Sequence, residues 1–463
     1  MTPVRDATAL AEELAAGTVS SVALTQTSLE KIAAQDGAIN AFCALNAGAL
    51  DAAKASDARR TAGQPKSVID GLPVAIKDSL EVAGMPCTWG SAVFAHHVPP
   101  HDELPVARLR EAGAILIGKT NAPEFTLEGY TGNALHGTTR NPWALALTPG
   151  GSSGGSVAAV AAGLVPVAIG TDGGGSIRRP AGFTGLVGLK PSIGRVARVG
   201  GLPQLLLDFE VVGPVCRTVR DAALLMGVLA GPDPRDHQSM NLPTPDVPDR
   251  PLRILATTGW GDAPVDPMIR SATEAAAKVL SDLGHQVSFA PLPLNTATLD
   301  GFWPNFGKWG LAGLRASHSD FDRLASQPYI SMADEGDGLG ADALLEVLRA
   351  IKALRDEAAV LFRHVDLVLT PTSAAMPWPA EERYPDHIAG EAVGPRGHAV
   401  FTGWVNACGH PAIALPSEPC ANGCPIGVQL VAGIGAEGLL LEVAASHAAA
   451  AAHLYGRAPS LLT

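Results

Sequence analysis

The chain is 463 residues long and 47% hydrophobic but only 17% charged, which excludes a disordered protein and provides enough apolar material for one very large domain or a few ordinary ones. Its net charge of −12 argues against a nucleic-acid-binding protein, because such proteins usually present a basic surface. The N-terminal sequence MTPVRDATALAEELAAGTVS lacks the basic start and continuous apolar core of a signal peptide, and no run reaches the roughly 18 apolar residues of a membrane span. We therefore expect a cytoplasmic globular protein that binds neither nucleic acid nor a membrane.

The predicted elements begin with a helical region over residues 1–65. Apolar residues recur there at helix-like intervals from Leu10 to Ile32, and the pattern continues more weakly from Ala47 to Arg60. Further along, strands are predicted at GLPVAIKD (71–78), AILIGKT (114–120), VPVAIG (165–170), GLVGLKPS (185–192), LRILATTG (252–259), QVSFAPL (286–292), VDLVLTPT (365–372) and IGVQLVAG (426–433). Helices are predicted at ELPVARLREAG (103–113), SVAAVAAGLV (156–165), 218–229, SATEAAAKVLSDLG (271–284) and LLEVLRAIKALRDEAAVLF (344–362).

This alternation predicts an α/β fold, a single large domain over residues 1–463 with a central mixed β-sheet covered by helices on both faces. Residues 231–400 form the predicted variable, substrate-side region. Within it, the aromatic-rich stretch Leu299–Gly310 is a candidate lid or pocket wall, and the alternative of an insert that only packs on the core stays open. The apolar face of the helix 344–362 is predicted to follow three-residue steps through Leu345, Leu348, Ile351 and Leu354.

Two Gly/Ser clusters interrupt the most apolar part of the chain, TPGGSSGGSV at 148–157 and GTDGGGSIR at 170–178. Flexible linkers are excluded, because each cluster lies between apolar strand or helix segments. Neither cluster contains the GxxxxGK[ST] of a phosphate-binding loop or the GxGxxG of a dinucleotide site. GSSGG, at 151–155, matches GxSxG, so Ser153 is a candidate nucleophile elbow, although no acidic residue and histidine can be assigned as its partners.

The second cluster carries the stronger signal, because Gly173, Gly174 and Gly175 directly precede Ser176. Without Cβ atoms, consecutive backbone N–H groups can converge on one point and form an anion-binding nest. Such donors are typically worth about 3–4 kcal/mol each when they stabilise an oxyanion. The pattern therefore indicates acyl transfer with Ser176 as the nucleophile.

A serine nucleophile needs a base, and Lys77 is the candidate. It ends the predicted strand in 71–78, where burial would lower the pKa of the amine and allow it to accept a proton. Taken alone, a lysine at the end of a strand is more often exposed to solvent, so that alternative stays open at this point.

No metal or cofactor is expected. The six cysteines are expected to be free thiols in a reducing compartment. Cys420 and Cys424 form a CxxxC pair, but no second pair completes the four ligands of a structural zinc site.

Further segments accompany the two clusters: DGLPVAIKDSLEVAGMPCTWGS, RLREAGAILIGKTNAPEF, GLVGLKPSIGRV, GPVCRTVRDAALLM, GHPAIALPS and PIGVQLVAG. Together with the highly specific combination GGSSGGS…GTDGGGSIRRPA, they resemble the amidase signature family over nearly the whole chain. The resemblance implies the amidase signature fold and a Ser-cisSer-Lys triad. In this chain Ser176 would form the acyl-enzyme, Lys77 would be the base, and Ser152, after a cis peptide bond, would relay the proton.

The resemblance also implies an oxyanion hole made by the backbone N–H groups of Gly173, Gly174, Gly175 and Ser176. Supporting residues would be Ser153, Asp172 and Arg178. Two positions depart from the family pattern, since the family often has Thr at the position of Gly173 and an apolar residue at that of Arg179. Arg179 would add positive charge near the pocket, although a surface position is the favoured expectation.

The expected function is hydrolysis of a small-molecule carboxamide with release of ammonia or an amine, by a monomer or a homodimer. One alternative is the glutaminase-type A subunit of a tRNA-dependent amidotransferase, which shares the fold and triad and works with partner proteins. Another is a non-catalytic binding protein that retains the fold. The presence of Lys77, Ser152 and Ser176 together argues against the latter.

Overall fold

The computed structural model describes residues 5–421 and 423–459. Its helices are α1 (Ala7–Ala16), α2 (Ser21–Ile39), α3 (Ala49–Thr61), α4 (Leu104–Glu111), α5 (Gly154–Ala161), α6 (Arg178–Thr184), α7 (Val219–Leu229), α8 (Pro267–Asp282), α9 (Thr296–Ser317), α10 (Phe321–Leu324), α11 (Gln327–Asp337), α12 (Ala341–His364), α13 (Gly403–Cys408) and α14 (Glu437–Ala450). Its strands are β1 (Phe42–Leu45), β2 (Pro73–Lys77), β3 (Ile115–Thr120), β4 (Gly132–Asn133), β5 (Gly137–Thr138), β6 (Val167–Asp172), β7 (Val187–Lys190), β8 (Val211–Cys216), β9 (Arg253–Ala256), β10 (Gln286–Phe289), β11 (Leu367–Pro371), β12 (His387–Ile388), β13 (Glu391–Ala392), β14 (Ala412–Ser417) and β15 (Ile426–Ala432).

A mixed, 11-stranded sheet forms the centre of the molecule in the order β1-β3-β2-β6-β8-β7-β14-β15-β11-β9-β10. Strand β2 pairs in parallel with β3 and β6, and β9 pairs in parallel with β11 and β10. The pairs from β6 through β8, β7, β14 and β15 to β11 are all antiparallel. The predicted mixed sheet is therefore confirmed.

Helices cover both faces of this sheet. Alternate side chains of strand β2 pack against different sets of helices. Val74 and Ile76 of β2 lie in the apolar cluster that includes α7 and α14, whereas Ala75 lies in the cluster that includes α3 and α5. Successive residues of a strand point to opposite faces, so a strand that is covered on both sides is apolar throughout. This explains the continuous apolar run in GLPVAIKD.

Three strands of the sheet carry no clear strand signal in the sequence: β1, β8 and β14. Strand β1 lies at the sheet edge and is only 4 residues long. The other two are central and fully buried, and they contain Pro214 and Pro416. Proline lacks the N–H group that a central strand donates to its neighbour, so a proline in a short run normally argues against a strand.

The longest described helix is α12, with 24 residues. The prediction that its apolar face includes Leu345 and Leu348 is wrong. Leu345 and Leu348 are 53% and 44% exposed. The buried positions are Val347, Ile351, Leu354, Ala358 and Leu361, which alternate four- and three-residue steps. A helix turns every 3.6 residues, so a strict three-residue step leaves the buried face. Neither α12 nor any other helix in the described residues is long and apolar enough to cross a membrane.

Candidate active site

The candidate site lies where the neighbouring parallel strands β2 and β6 end. Lys77 is the last residue of β2 and Asp172 the last of β6. Because the two strands are parallel, their carboxyl ends meet at the same edge of the sheet. The turn that precedes α5 brings Ser152 to this edge, and the turn that follows β6 brings Ser176.

Lys77 is fully buried, so the solvent-exposed alternative is wrong. Its Nζ donates hydrogen bonds to Ser152 Oγ at 2.7 Å and to Thr171 Oγ1 at 2.8 Å. Burial lowers the pKa of Lys77 to about 7, against the opposing effects of Glu210 and Asp172. The amine can therefore exchange a proton near neutral pH, directly beside the Ser152 hydroxyl.

The peptide bond between Gly151 and Ser152 is cis. Ser152 itself is buried, with only 1% exposure. A Cβ atom on Gly151 would lie 2.2 Å from the carbonyl oxygen of Tyr130, so only glycine fits at this position. The part of the Gly/Ser cluster that precedes α5 is thus a tightly packed turn that presents Ser152 to Lys77.

Ser153 occupies a different environment from Ser152. Its Oγ donates to the Thr171 carbonyl at 3.0 Å, and its N–H donates to the Ser176 carbonyl at 3.1 Å. The side chain is fully buried in these contacts. Ser153 therefore ties the two Gly/Ser clusters together, and its hydroxyl does not stand exposed as a nucleophile elbow requires.

The glycine turn before Ser176 holds its shape through Asp172. Gly175 has a φ of 110°, which only glycine adopts easily, and its N–H donates to Asp172 Oδ1 at 2.7 Å. That bond engages one of the four donors predicted for the oxyanion hole. The N–H groups of Gly173, Gly174 and Ser176 are left as the candidate donors.

Asp172 and Arg178 form an ion pair with both side chains fully buried. Arg178 Nε and Nη2 donate to the two carboxylate oxygens at 3.0 and 2.9 Å, and the Ile177 N–H donates to Oδ2 at 3.1 Å. Burial alone would raise the pKa of Asp172, but Arg178 outweighs it and holds that pKa well below its usual range. The pair braces the turn that carries Ser176.

We expect the substitution Asp172→Ala to lower the free energy of unfolding by about 3–5 kcal/mol, because it leaves Arg178 charged and buried without its partner. Urea unfolding followed by circular dichroism measures this. The matched control is Asp51→Ala, which removes the exposed ion pair with Lys54 and is expected to change the free energy of unfolding far less, because water screens that pair. Equal losses in the two variants would contradict the bracing role.

Several residues of the site were not found from the sequence, because they come from distant segments. Arg178 also donates to Gln429 Oε1 at 2.7 Å and to Asn406 Oδ1 at 2.5 Å. Asn406 in turn donates to Asp172 Oδ1 at 2.9 Å. The one available signal was Gln429, a polar residue inside the apolar run IGVQLVAG, since a buried amide needs hydrogen-bond partners.

The expectation that Arg179 lies on the surface is wrong. Its side chain is 4% exposed, and Nη1 donates to the Gly174 carbonyl and to Thr402 Oγ1, the latter at 2.8 Å. The aromatic stretch reaches the same turn, because a Cβ atom on Gly174 would lie 2.7 Å from Cζ2 of Trp303. Leu299–Gly310 belongs to α9; its Leu299, Trp303 and Phe306 are buried in an apolar cluster, and Trp303 also packs against the glycine turn.

One group of side chains outside this site has ligand types that could hold a metal ion: Cys43, Asp78 and His136, whose ligand atoms all lie within 4.8 Å of one another. Lys119, however, forms a buried ion pair with Asp78 at 3.1 Å. This ammonium group already compensates the carboxylate, so the donor set does not fit a cation well. We assign no step to a metal there.

The chain is similar to proteins of known function along most of its length. The family model described as Amidase matches residues 23–441. Two curated relatives are named as the A subunit of glutamyl-tRNA(Gln) amidotransferase. The protein from Acidothermus cellulolyticus is 36% identical, over 98% of this chain and 95% of its own length. The protein from Chloroflexus aggregans is also 36% identical, over 93% of each chain.

The fold also resembles the solved structures of two amide-cleaving enzymes. A bacterial aryl acylamidase of the amidase signature family superposes with a TM-score of 0.89 at 28% identity, over 97% of this chain and 96% of the other. The 6-aminohexanoate cyclic dimer hydrolase superposes with a TM-score of 0.88 at 30% identity, over 99% of both chains. The sheet, the two Gly/Ser turns and these matches together show that the chain belongs to the amidase signature family of enzymes that act on C–N bonds.

Proposed function

We propose that this chain cleaves a carboxamide through an acyl-enzyme on Ser176. The observation that carries the proposal is the buried hydrogen bond of 2.7 Å between Lys77 Nζ and Ser152 Oγ, beside the glycine turn that ends at Ser176. A lysine with a pKa of about 7 can take up a proton from a hydroxyl network at neutral pH and return it. Lys77, Ser152 and Ser176 would then act as one proton-transfer unit.

In the first half of the proposed reaction, Ser176 Oγ forms a bond to the amide carbon. Its proton moves to Ser152 Oγ, and the Ser152 proton moves to neutral Lys77 Nζ. The negative charge on the former carbonyl oxygen is stabilised by the N–H groups of Gly173, Gly174 and Ser176. The C–N bond then breaks while the proton returns to nitrogen, which releases ammonia or an amine.

In the second half, water attacks the acyl-enzyme, and the same residues carry its proton to the Ser176 oxygen as the ester bond breaks. The products are a carboxylic acid and the free enzyme. Lys77 acts as a base and then as an acid in each half, so its pKa near the working pH suits both directions.

Two candidate substrates fit this chemistry. The names and higher identity of the curated relatives favour glutamine, with this chain as the A subunit of an amidotransferase. This supports that candidate better than a stand-alone hydrolase of a small-molecule amide. The stand-alone candidate draws its support from the structural neighbours, which include the aryl acylamidase and a peptide amidase with a TM-score of 0.79 at 28% identity.

The proposal is tested by incubating the purified chain with three amides in turn. These are glutamine, glutaramate (glutamine without the α-ammonium group) and acetanilide. Release of ammonia or aniline is measured, together with labelling of the Ser176 peptide by a fluorophosphonate. Glutamine cleaved at least about tenfold faster than the others supports the amidotransferase candidate, because the site then reads the α-ammonium group. The reverse order supports the stand-alone hydrolase. Failure of all three amides together with an unlabelled Ser176 would favour the non-catalytic alternative.

A further inference from the structure

A cluster of three charged side chains lies next to the glycine turn that ends at Ser176. Arg198 Nε donates to Glu103 Oε1 at 2.8 Å, and Arg198 Nη1 donates to Glu210 Oε1 at 2.8 Å. The three side chains are largely buried, and that of Glu103 is fully enclosed. One guanidinium group thus serves two carboxylates, so the cluster has one negative charge in excess when both carboxylates are ionised.

Further contacts fix the segment that carries Arg198. Its backbone N–H donates to Asp236 Oδ2 at 3.0 Å. A Cβ atom on Gly201 would lie 2.7 Å from Glu103 Oε2, so the backbone at Gly201 packs directly on this carboxylate. The charge-assisted hydrogen bond from Arg198 therefore holds the Glu210 carboxylate from a fixed position.

Glu210 lies opposite the first residue of the glycine turn. It directly precedes β8, whose first residue, Val211, pairs with Asp172 of β6. A Cβ atom on Gly173 would lie 3.6 Å from Cβ of Glu210. The same end of β6 holds the lysine of the site, because Thr171 Oγ1 accepts a hydrogen bond from its Nζ at 2.8 Å. Glu210 and the lysine thus flank one short stretch of backbone.

Three charged groups act on this lysine, Lys77: Glu210, Asp172 and Arg198. Burial lowers the pKa of Lys77 to about 7, and the two carboxylates oppose this effect, Glu210 more strongly than Asp172. Arg198 adds to the lowering of the pKa. Glu210 is therefore the largest single source of negative potential at the amine.

The other acidic groups at this end of the sheet are already neutralised. Arg178 donates to both carboxylate oxygens of Asp172, so that pair has no net charge. Asp78, the residue after β2, pairs with Lys119 of β3 at 3.1 Å, with both side chains buried. The excess negative charge beside the lysine therefore belongs to the cluster around Arg198.

We propose that Glu210 is a positioning residue, whose carboxylate stabilises the ammonium group that Lys77 forms when it takes up the proton from Ser152; this rests on the proposed amide hydrolysis. In a buried site, a fixed carboxylate lowers the energy of a nearby ammonium group and so favours the step that creates it. The carboxylate itself forms no bond and takes up no proton in this step.

Glu210→Gln tests the proposal, because it removes the charge and keeps the shape of the side chain. The rise in kcat/KM near neutral pH should move to lower pH by at least about 0.5 pH unit, since the ammonium form of Lys77 loses its stabilising charge. The profile is measured with whichever of glutamine, glutaramate and acetanilide the chain cleaves fastest. Glu210→Asp keeps the charge and should restore most of the original midpoint.

Asp208→Asn is the matched control, because Asp208 lies two residues before Glu210 and is also paired with an arginine. Arg355 Nη2 lies 3.0 Å from both Asp208 carboxylate oxygens, and Arg355 Nε donates to the Ala407 carbonyl. This pair is thus directed towards α12 and α13 and not towards the glycine turn. The midpoint in Asp208→Asn should equal that of the unaltered chain.

A second measurement does not depend on turnover. Carbon-13 NMR of the full chain, with lysine labelled at Cε, follows the protonation of Lys77 directly, and Lys77→Met identifies its resonance. The midpoint of this titration should fall in Glu210→Gln and stay unchanged in Asp208→Asn. A merely structural role for Glu210 would lower the rate at every pH and leave both midpoints in place.

Two results would overturn the proposal: unchanged midpoints in Glu210→Gln, or an equal shift in Asp208→Asn. Failure of the proposed function has a different signature, namely a rise in activity that persists in Lys77→Met, or three inert amides together with a Ser176 that fluorophosphonate does not label. In that case the NMR titration alone decides whether Glu210 stabilises the ammonium group.

Discussion

The substitution Ser176→Ala is expected to abolish amide hydrolysis, with kcat reduced by at least about 10⁴-fold. The reason is that no acyl-enzyme can form without the Ser176 hydroxyl, whereas the fold should tolerate the loss of one oxygen atom. Initial rates of ammonia or amine release, with substrate in excess, measure the effect. Loss of the fluorophosphonate mass shift on the same peptide provides an independent check.

Ser153→Ala is the matched control for this experiment, because Ser153 belongs to the competing GxSxG motif. Its hydroxyl donates to the Thr171 carbonyl, so we expect a loss of less than about tenfold from a small shift of the turn. The opposite pattern, with an inactive Ser153→Ala and an active Ser176→Ala, would transfer the nucleophile to Ser153 and contradict the proposed mechanism.

Lys77→Met is expected to reduce kcat by roughly 10²–10⁴-fold, because the hydroxyl network loses its base. The pH profile should change as well. In the unaltered chain, Lys77 is protonated below its pKa of about 7 and cannot accept a proton, and it is neutral above it. Activity should therefore rise as the pH increases through about 7, and this rise should disappear in Lys77→Met.

The chain offers a close control in Lys190. This lysine is also fully buried, and burial likewise lowers its pKa to about 7, but its Nζ donates to the Pro191 carbonyl at 2.8 Å. Lys190→Met should keep the rise in activity near neutral pH. If Lys77→Met keeps the rise and Lys190→Met loses it, the group that titrates is not Lys77.

Much of the secondary structure could be predicted from local patterns. The helix 218–229 is an example, since Thr218 caps α7 by accepting a hydrogen bond from the Asp221 N–H at 3.3 Å. Where strands were not predicted, the local sequence argued against a strand. Proline normally interrupts a central strand, yet Pro214 and Pro416 lie within β8 and β14 in the middle of the sheet. Burial between neighbouring strands and helices outweighs this preference.

The sequence by itself determined which residues are the candidates for chemistry. The two Gly/Ser clusters and the lysine that ends β2 are local motifs, so Lys77, Ser152 and Ser176 could be named from their patterns and from the family resemblance. The glycines are informative because a turn without space for a Cβ atom requires glycine at that position, as at Gly151.

Only the tertiary structure decided the environment of those candidates. The pKa of Lys77 depends on complete burial, and the Asp172–Arg178 pair depends on Gln429 and Asn406. Arg179 is held in the interior by hydrogen bonds to the Gly174 carbonyl and to Thr402, the residue before α13. These contacts join residues that lie far apart in the chain. Burial and charge are properties of such packing, so no pattern of neighbouring residues could reveal them.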